Sequence, residues 1–197
     1  MTLIPPQKSP AGLKSTASFQ EEMHYLLTQA QKKGATDAEV SLDQSRGFSV
    51  DVRMKEVETV AFSDSQTMSV ILYNGHQKGC ASTSDLSARA LDNLIDAAWH
   101  IAQVSAVDPC FGLAEAHLLC KQPPDLGLCH LWSLSPEDAI RLAIACETEA
   151  LSQDAAIVNS EGVNVSTYTD CNGYANTRGA NGVVMSTRHQ MSCSLIA

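Results

Sequence analysis

An asparagine–glycine pair between two strand-like runs constrains the fold of this chain more than any other feature. Residues 68–73 (MSVILY) and 77–83 (QKGCAST) have the composition of β-strands, and Asn74 and Gly75 lie between them. This dipeptide favours a tight hairpin, because both central residues of a type I′ turn have positive φ. The segment therefore predicts two neighbouring antiparallel strands.

Alternation of apolar and polar residues predicts further strands on both sides of this hairpin. The pattern occurs at 38–42, 48–54 and 57–62, and it returns after a helical region between 156 and 197. Apolar side chains at every second position are typical of strands with one buried face. Short connections between consecutive strands favour antiparallel pairing, so we expect one or more mainly antiparallel sheets.

Three segments have apolar residues at helical spacing and residues suited to helix starts. Ser135 is a good N-cap, Pro136 suits the first helical position, and Asp138 completes a capping box. Strands and helices in separate runs indicate an α+β protein, with the sheet packed with about three helices. The predicted helical segments, with expected N-caps Ser18, Ser87 and Ser135, are 18–34, 87–103 and 135–153.

The composition argues against several classes of protein. The net charge is −9 and no cluster of Lys or Arg occurs, which argues against nucleic-acid binding. The sequence has no apolar run of about 18 residues, the length needed by a membrane helix. Seven widely spaced cysteines without a signal peptide predict reduced thiols and a cytoplasmic location.

The amino-terminal segment is predicted to lie outside the folded part. Pro5, Pro6 and Pro10 interrupt any continuous element there, so residues 1–18 are expected to form a flexible leader. Residues 19–197 then form one α/β domain.

No catalytic or metal-binding motif is evident in the sequence. None of the six histidines is followed by glutamate, which excludes the H-E-x-x-H helix of metallopeptidases. A loose set of thiols and imidazoles lies in an irregular segment, but it lacks a Cys-x2-Cys pair, and such cysteines are commonly buried as small apolar residues. We therefore predict no catalytic, cofactor-binding or metal-binding residue in this chain. The loose set consists of Cys110, His117, Cys120, Cys129 and His130.

The last predicted strand carries side chains that suit chemistry but are expected to be structural. Alternation places Arg188 on the polar face, and His189 and Cys193 on the apolar face. A single histidine on an apolar face is more often a hydrogen-bonded core residue than a ligand. The strand has no turn or cap at its end. We therefore expect exposed apolar surface at Leu195 and Ile196, and we interpret the chain as ending at or near a domain boundary.

An ordered set of segments resembles the TldD/PmbA family, whose members are also described as modulators of DNA gyrase, and within it the PmbA (or TldE) branch. The similarity runs from about residue 35 to 197 and rests on the order and spacing of many segments rather than on one motif. The segments are GATDAEVSL, the long run 47–87, DPCFGLAE, LSPEDAIRLA and STRHQMSCSLIA.

The resemblance implies a fold and an activity. Family members have an α/β amino-terminal domain and a β-rich carboxy-terminal domain, and this chain would be the first of these, with the second absent. TldD and TldE subunits form a cytosolic metallopeptidase that degrades unfolded or extended peptides. Zinc is expected in the TldD-like partner, because TldE-type subunits lack a working metal site, and no catalytic residue carries over to this chain. The expected assembly is a heterodimer with a TldD-like subunit or a homodimer.

Two other interpretations stay open. The chain is alternatively a regulatory module that binds DNA gyrase or a gyrase-directed factor without peptidase chemistry, or a stand-alone zinc protein built on Cys110, Cys120 and Cys129. The sheet raises a further hypothesis, since an exposed edge can bind an extended peptide through main-chain hydrogen bonds. The alternative is that its edges pack against the absent domain, and this is favoured because bare edges are normally covered.

Overall fold

The computed structural model describes residues 16–120 and 124–197. The predicted leader, residues 1–18, lies outside the described residues except for its last three positions, which belong to the first helix. No helix in these ranges is both long enough and apolar enough to cross a membrane. The elements in chain order are α1 (Thr16–Lys33), β1 (Asp37–Arg53), β2 (Glu56–Asn74), β3 (Gln77–Thr83), α2 (Ala88–Val104), α3 (Pro136–Leu151), β4 (Asn159–Asn176) and β5 (Asn181–Ile196).

The five strands form an antiparallel sheet in the order β3-β2-β1-β4-β5. The predicted hairpin joins β2 to β3, with Asn74 paired to Gln77. Its turn lies one residue later than expected, because Gly75 and His76 occupy the central positions and Gly75 has a φ of 61°. Glycine at the first central position is typical of a type II′ turn. The predicted α+β class, a mainly antiparallel sheet with about three helices, is confirmed.

The strands are longer than the sequence pattern indicates. The predicted segments 38–42 and 48–54 belong to the single strand β1, and the two segments before the hairpin likewise belong to β2. Polar side chains interrupt the alternation in both strands, but they contact each other across the sheet. Arg46 Nε lies 3.5 Å from Asp64 Oδ2, for example. Backbone pairing therefore continues where the apolar pattern stops.

Two of the three predicted N-caps are confirmed. The Ser87 hydroxyl accepts a hydrogen bond of 3.4 Å from the Ala90 amide, and the Ser135 hydroxyl accepts one of 3.1 Å from the Asp138 amide. Each bond satisfies one of the amides that a helix start leaves free. The third prediction is wrong: α1 begins before Ser18, which lies inside the helix.

The chain divides into two compact units. The long strands β1, β2, β4 and β5 contribute residues to both. Of the described residues, unit 1 holds 16–44, 66–120, 124–126 and 171–184, and unit 2 consists of Ser45–Ser65, Gly127–Asp170 and Met185–Ala197.

Unit 1 is built around apolar side chains of α1, α2 and its share of the sheet. Helix α2 lies so close to β3 that a Cβ atom at Gly79 would be 2.0 Å from the Ala98 carbonyl oxygen. Arg178 fixes the irregular segment after α2: its guanidinium donates to both carboxylate oxygens of Asp37 and to the carbonyls of Leu113 and Ala114. The largest fully buried apolar side chains of unit 1 are Phe19, Met23, Leu26, Val40, Leu42, Met68, Val70, Leu72 and Ile95.

Unit 2 has its own smaller core between α3 and the sheet. Helix α3 contributes Ala139 and Ala143, whose small side chains allow the helix to lie close to the strands. The strand residues in this cluster are Phe48, Val50, Val52, Val163 and Val165. Because these residues alternate along β1 and β4, the residues between them lie on the opposite face of the sheet.

Candidate functional site

Strand β5 forms one edge of the sheet, and its carboxy-terminal half is exposed. The Thr187 amide donates 3.0 Å to the Leu128 carbonyl, away from β4, whereas the Ile196 carbonyl accepts 3.0 Å from the Val158 amide on the β4 side. Backbone groups alternate in direction along a strand, so the amide of Met191 also points away from β4. The Met191 side chain is 52% exposed. This half of β5 therefore presents backbone donors and acceptors at the sheet edge.

A short segment before α3, residues 128–132, covers part of this edge, and we call it the strap. Thr187 holds it through its amide and its hydroxyl. Its amide donates to Leu128 O, and its hydroxyl donates 3.1 Å to the His130 carbonyl and accepts 3.0 Å from the His130 amide. Covering by a loop is a common protection of edge strands. These bonds attach the strap to β5 at Thr187.

His189 is the second residue that holds the strap. Its Nε2 lies 2.8 Å from the His130 carbonyl oxygen and its Nδ1 lies 2.8 Å from Thr167 Oγ1. A carbonyl accepts only, so Nε2 carries a proton, and a neutral ring then accepts from the Thr167 hydroxyl at Nδ1. The ring also packs edge-on against Trp132 with centroids 5.5 Å apart. His189 forms the hydrogen bonds expected of it, but it is exposed rather than in the core. That it is not a ligand stays a prediction.

The opposite face of the sheet in unit 2 carries a stack of polar and aromatic groups. Arg188 lies 5.5 Å from the ring centroid of Tyr168, and that ring lies across Gly47 of β1. A Cβ atom at Gly47 would be 2.1 Å from the Thr167 carbonyl oxygen, so only glycine allows this approach. Alternation predicted that Arg188 lies on the polar face of the strand, and its contact there is with the aromatic ring of Tyr168.

The turn between β1 and β2 is anchored by a buried carboxylate of α3. Met54 and Lys55 have φ values of 50° and 66°, as the central residues of a type I′ turn do. Their amides donate to the two oxygens of Glu147, at 2.9 and 2.6 Å, and the Glu147 side chain is fully buried. Burial alone raises the pKa of this carboxyl, but hydrogen bonds from Ser160 and the two amides outweigh it and hold the pKa below its ordinary value.

The first half of β2 forms a second exposed edge in unit 2. Strand β3 pairs with β2 only over residues 68–74, so residues 56–65 lie at the edge of the sheet within the described chain. Val57, Val60 and Phe62 are exposed there, Phe62 to 73%. Its ring lies 5.9 Å from that of the core residue Phe48. This strand combines β-branched and aromatic residues with exposure, which is typical of surfaces that bind another chain.

The five residues considered for a metal site are divided between the two units. Cys110, His117 and Cys120 belong to unit 1, whereas Cys129 and His130 belong to unit 2. His130 contacts Thr187 and His189 through its backbone. Across residues 16–120 and 124–197, no group of three or more His, Cys, Asp or Glu side chains could hold a metal ion.

The expectation of exposed apolar surface at the end of β5 is met by Ile196 but not by Leu195. Ile196 is 40% exposed, whereas Leu195 is half-buried.

Glu147 is a fully buried carboxylate that no sequence motif marked as important. One signal was available, because Glu147 follows Ala139 and Ala143 at four-residue intervals and therefore lies on the buried stripe of α3. Its partners Met54 and Lys55 lie far away in the sequence, and neither has the glycine or asparagine usual in such turns.

Two family models match this chain in consecutive segments. The PmbA/TldA metallopeptidase domain 1 matches residues 38–102, and the PmbA/TldA metallopeptidase central domain matches residues 129–197. The boundaries expected from the sequence, 1–18 and 19–197, stay predictions.

Curated relatives carry the same family name. A metalloprotease PmbA homologue of Haemophilus influenzae is 36% identical over 193 residues, which cover 98% of this chain and 43% of that protein. The metalloprotease PmbA of Escherichia coli O157:H7 is 38% identical over 160 residues, covering 81% of this chain and 36% of that protein. The chain thus spans less than half the length of these curated relatives.

Solved structures agree on the fold. A candidate modulator of DNA gyrase from Bacteroides thetaiotaomicron superposes with a TM-score of 0.83 at 26% identity, covering 92% of this chain and 42% of that one. TldE from Thermococcus kodakarensis superposes with a TM-score of 0.74 at 15% identity, covering 88% and 39% respectively. The solved structures show the fold, and the two matched family models and the curated relatives establish that the chain belongs to the PmbA/TldD family.

Proposed function

We propose that this chain is the amino-terminal part of a PmbA/TldE-type subunit of a cytosolic metallopeptidase that degrades unfolded or extended peptides. In this proposal a TldD-like subunit holds the zinc and the catalytic groups. The present chain is not catalytic by itself and contributes a sheet edge that binds an extended segment of the substrate or of the partner subunit.

Three sets of findings support the family, assembly and location in this proposal. The matched family models describe metallopeptidase domains, and both curated relatives are named metalloproteases. A related structure is a TldE, which the resemblance associates with a TldD-like partner. No disulfide joins any of the seven cysteines, all of which lie in the described part of the chain, in keeping with a reducing cytosol.

The main evidence that the sheet edge binds an extended segment is the exposed half of β5 beyond the strap. An extended peptide that adds to such an edge forms main-chain hydrogen bonds that do not depend on its sequence. This suits a peptidase whose substrates share an unfolded backbone rather than a side-chain motif. The outward amide of Met191 is the nearest donor beyond the residues that hold the strap.

Substitution of Met191 tests this edge. Met191→Pro removes the outward N–H without removing a bond to β4, and Met191→Ala is the matched control that retains the N–H. We expect Met191→Pro to weaken binding of unstructured, fluorescein-labelled decapeptides about tenfold, the effect of one hydrogen bond. Met191→Ala is expected to bind within about threefold of the wild type. Equal affinities of all three proteins, with unchanged unfolding midpoints, would refute the role of this edge.

A second candidate function is regulation of DNA gyrase, favoured by the description of the Bacteroides relative as a candidate gyrase modulator. Affinity purification of the tagged full chain distinguishes the two. Recovery of a zinc-containing TldD-like subunit supports the peptidase proposal. Recovery of a gyrase subunit without a TldD-like protein supports the second candidate, and the net charge of −9 makes direct contact with DNA unfavourable in either case.

A further inference from the structure

The strap occupies the edge of β5 over a short length only. The Thr187 amide donates 3.0 Å to the Leu128 carbonyl, which is the bond that an added strand would form there. At His130 the side chains of β5 take over: the Thr187 hydroxyl contacts the amide and the carbonyl of His130, and His189 Nε2 lies 2.8 Å from the same carbonyl. Trp132, the last residue of the strap, packs against the His189 ring. The strap therefore covers the edge from Thr187 to His189.

Beyond the strap the edge of β5 is open. Leu134, which follows the strap, packs against the core cluster of unit 2, so the chain has left the edge by this residue. Residues 188–194 are all exposed. Because outward amides alternate from Thr187 onward and His189 lies beside the strap, the open outward groups belong to Met191, Cys193 and Leu195. Residues 191–195 span about 17 Å at about 3.3 Å per residue.

The strap is held mainly by side chains. A peptide added at this position would offer the Thr187 amide the same kind of carbonyl that Leu128 offers now. It would lose the contacts that the Thr187 hydroxyl and the His189 ring form with His130 and Trp132. Exchange of the strap for a peptide therefore costs hydrogen bonds, and we expect the strap to stay in place when a chain binds to the edge.

We propose that the strap is a fixed end to the binding edge and limits the paired part of an extended chain to about five residues. This inference rests on the proposed function, because it concerns the same edge of β5. It narrows the substrate class to short extended segments, since a longer chain has to leave the sheet at the strap. Thr187 and His189 are positioning residues here, because they act through the strap.

A series of peptide lengths tests the limit. Unstructured tetra-, hexa- and decapeptides, labelled with fluorescein at the amino terminus, are titrated with the full chain and followed by fluorescence anisotropy. We expect the affinity to rise about tenfold from the tetrapeptide to the hexapeptide, because one further hydrogen bond forms. From the hexapeptide to the decapeptide it should rise only by the number of additional registers that the longer peptide offers.

Substitutions that release the strap test its role. Thr187→Val removes the hydroxyl and His189→Ala removes the ring, so the double variant loses the side-chain contacts to the strap and keeps the backbone of β5. The ratio of decapeptide to hexapeptide affinity should increase about tenfold, because a longer peptide can now displace the strap. Faster amide exchange at His130, with an unchanged unfolding midpoint, would show that only the strap is released.

A matched control and the outcomes make the test specific. Gln190→Ala/Ser192→Val makes similar changes at exposed positions on the other face of β5 and should keep the wild-type ratio. A wild-type affinity that rises about tenfold again from the hexapeptide to the decapeptide beyond the gain in registers, or a length limit unchanged in the double variant, would overturn the role of the strap and leave the edge as a binding site. Failure of every peptide to bind all three proteins would refute the edge itself, and this inference with it.

Discussion

The Glu147 carboxylate accepts a hydrogen bond of 2.6 Å from the backbone amide of Lys55. This bond joins the buried face of α3 to the turn between β1 and β2. The same carboxylate accepts 2.9 Å from the amide of Met54, so one side chain satisfies both amides of the turn. The turn leads directly into the exposed edge of β2, and its position is therefore determined by the helix rather than by turn-forming residues.

Removal of the Glu147 charge should destabilise the protein. Glu147→Gln replaces one acceptor oxygen with an NH2 group that faces a backbone N–H, so a buried amide loses its partner. We expect a loss of about 1–3 kcal/mol in the free energy of unfolding, measured by urea denaturation. Glu149→Gln, at an exposed position of the same helix, is the control and should change it by no more than about 0.5 kcal/mol. Equal effects of the two changes would contradict the anchoring role.

The contribution of Glu147 should depend on pH in a defined direction. The pKa of its carboxyl is lower in the folded state than in the unfolded state. Between these two pKa values the unfolded state binds more protons, so the free energy of unfolding rises with pH there. The contribution of the ionised carboxylate to the free energy of unfolding is fully present above the unfolded pKa of about 4.3. It is lost as the pH falls through the folded pKa. The stability difference between wild type and Glu147→Gln should therefore shrink in urea titrations from about pH 5 to about pH 3. A difference that is constant over this range would show that charge is not involved.

The turn itself should tolerate glycine better than lysine. Lys55 has a φ of 66°, a conformation that costs residues with a Cβ atom about 1–2 kcal/mol. Lys55→Gly should raise the free energy of unfolding by about 0.5–1 kcal/mol, after the larger backbone entropy of glycine in the unfolded chain is counted. Lys55→Ala also removes the ammonium group but keeps the Cβ atom, and it should give no gain. Thermal denaturation of the two variants separates the two causes. A gain in stability shared by both variants would point to charge rather than to backbone geometry.

The irregular segment after α2 should depend on the forked geometry of Arg178. Its guanidinium donates 3.0 Å to Asp37 Oδ1 and 2.9 Å to the Leu113 carbonyl. A lysine retains the charge but not the planar set of donors, so Arg178→Lys should lower the free energy of unfolding and speed proteolysis near Leu113. Arg89→Lys, at an exposed position of α2, is the control for charge and type of substitution. Unchanged cleavage in Arg178→Lys would show that the segment is held by other contacts.

Local signals in the sequence were sufficient to predict many of the helices and strands. The capping residues Ser87 and Ser135 set the starts of α2 and α3, because a cap and the amide it satisfies are only three residues apart. Strand β3 matches its predicted range, 77–83, because a tight turn fixes where the chain reverses.

Contacts between distant parts of the chain were not predictable in the same way. Strand β1 continues through a polar stretch because the neighbouring strands supply its partners, among them Asp170, whose carboxylate accepts 2.6 Å from Ser45. The burial of Glu147 depends on amides of a turn that the alternation pattern does not mark. The strap likewise depends on Thr187 and His189, which contact residues of a segment without any periodic pattern.

Amide hydrogen exchange most directly tests the central claim, that an exposed sheet edge of this chain binds an extended chain. The full chain is compared alone, with the TldD-like subunit, and with unstructured decapeptides. The account predicts slower exchange in residues 189–196 of β5 when the TldD-like subunit, the decapeptides or both are added. The exchange of β3 should stay unchanged and is the internal control. Unchanged exchange along both β5 and residues 56–65 of β2, in the presence of a bound subunit and of saturating peptide, would contradict it.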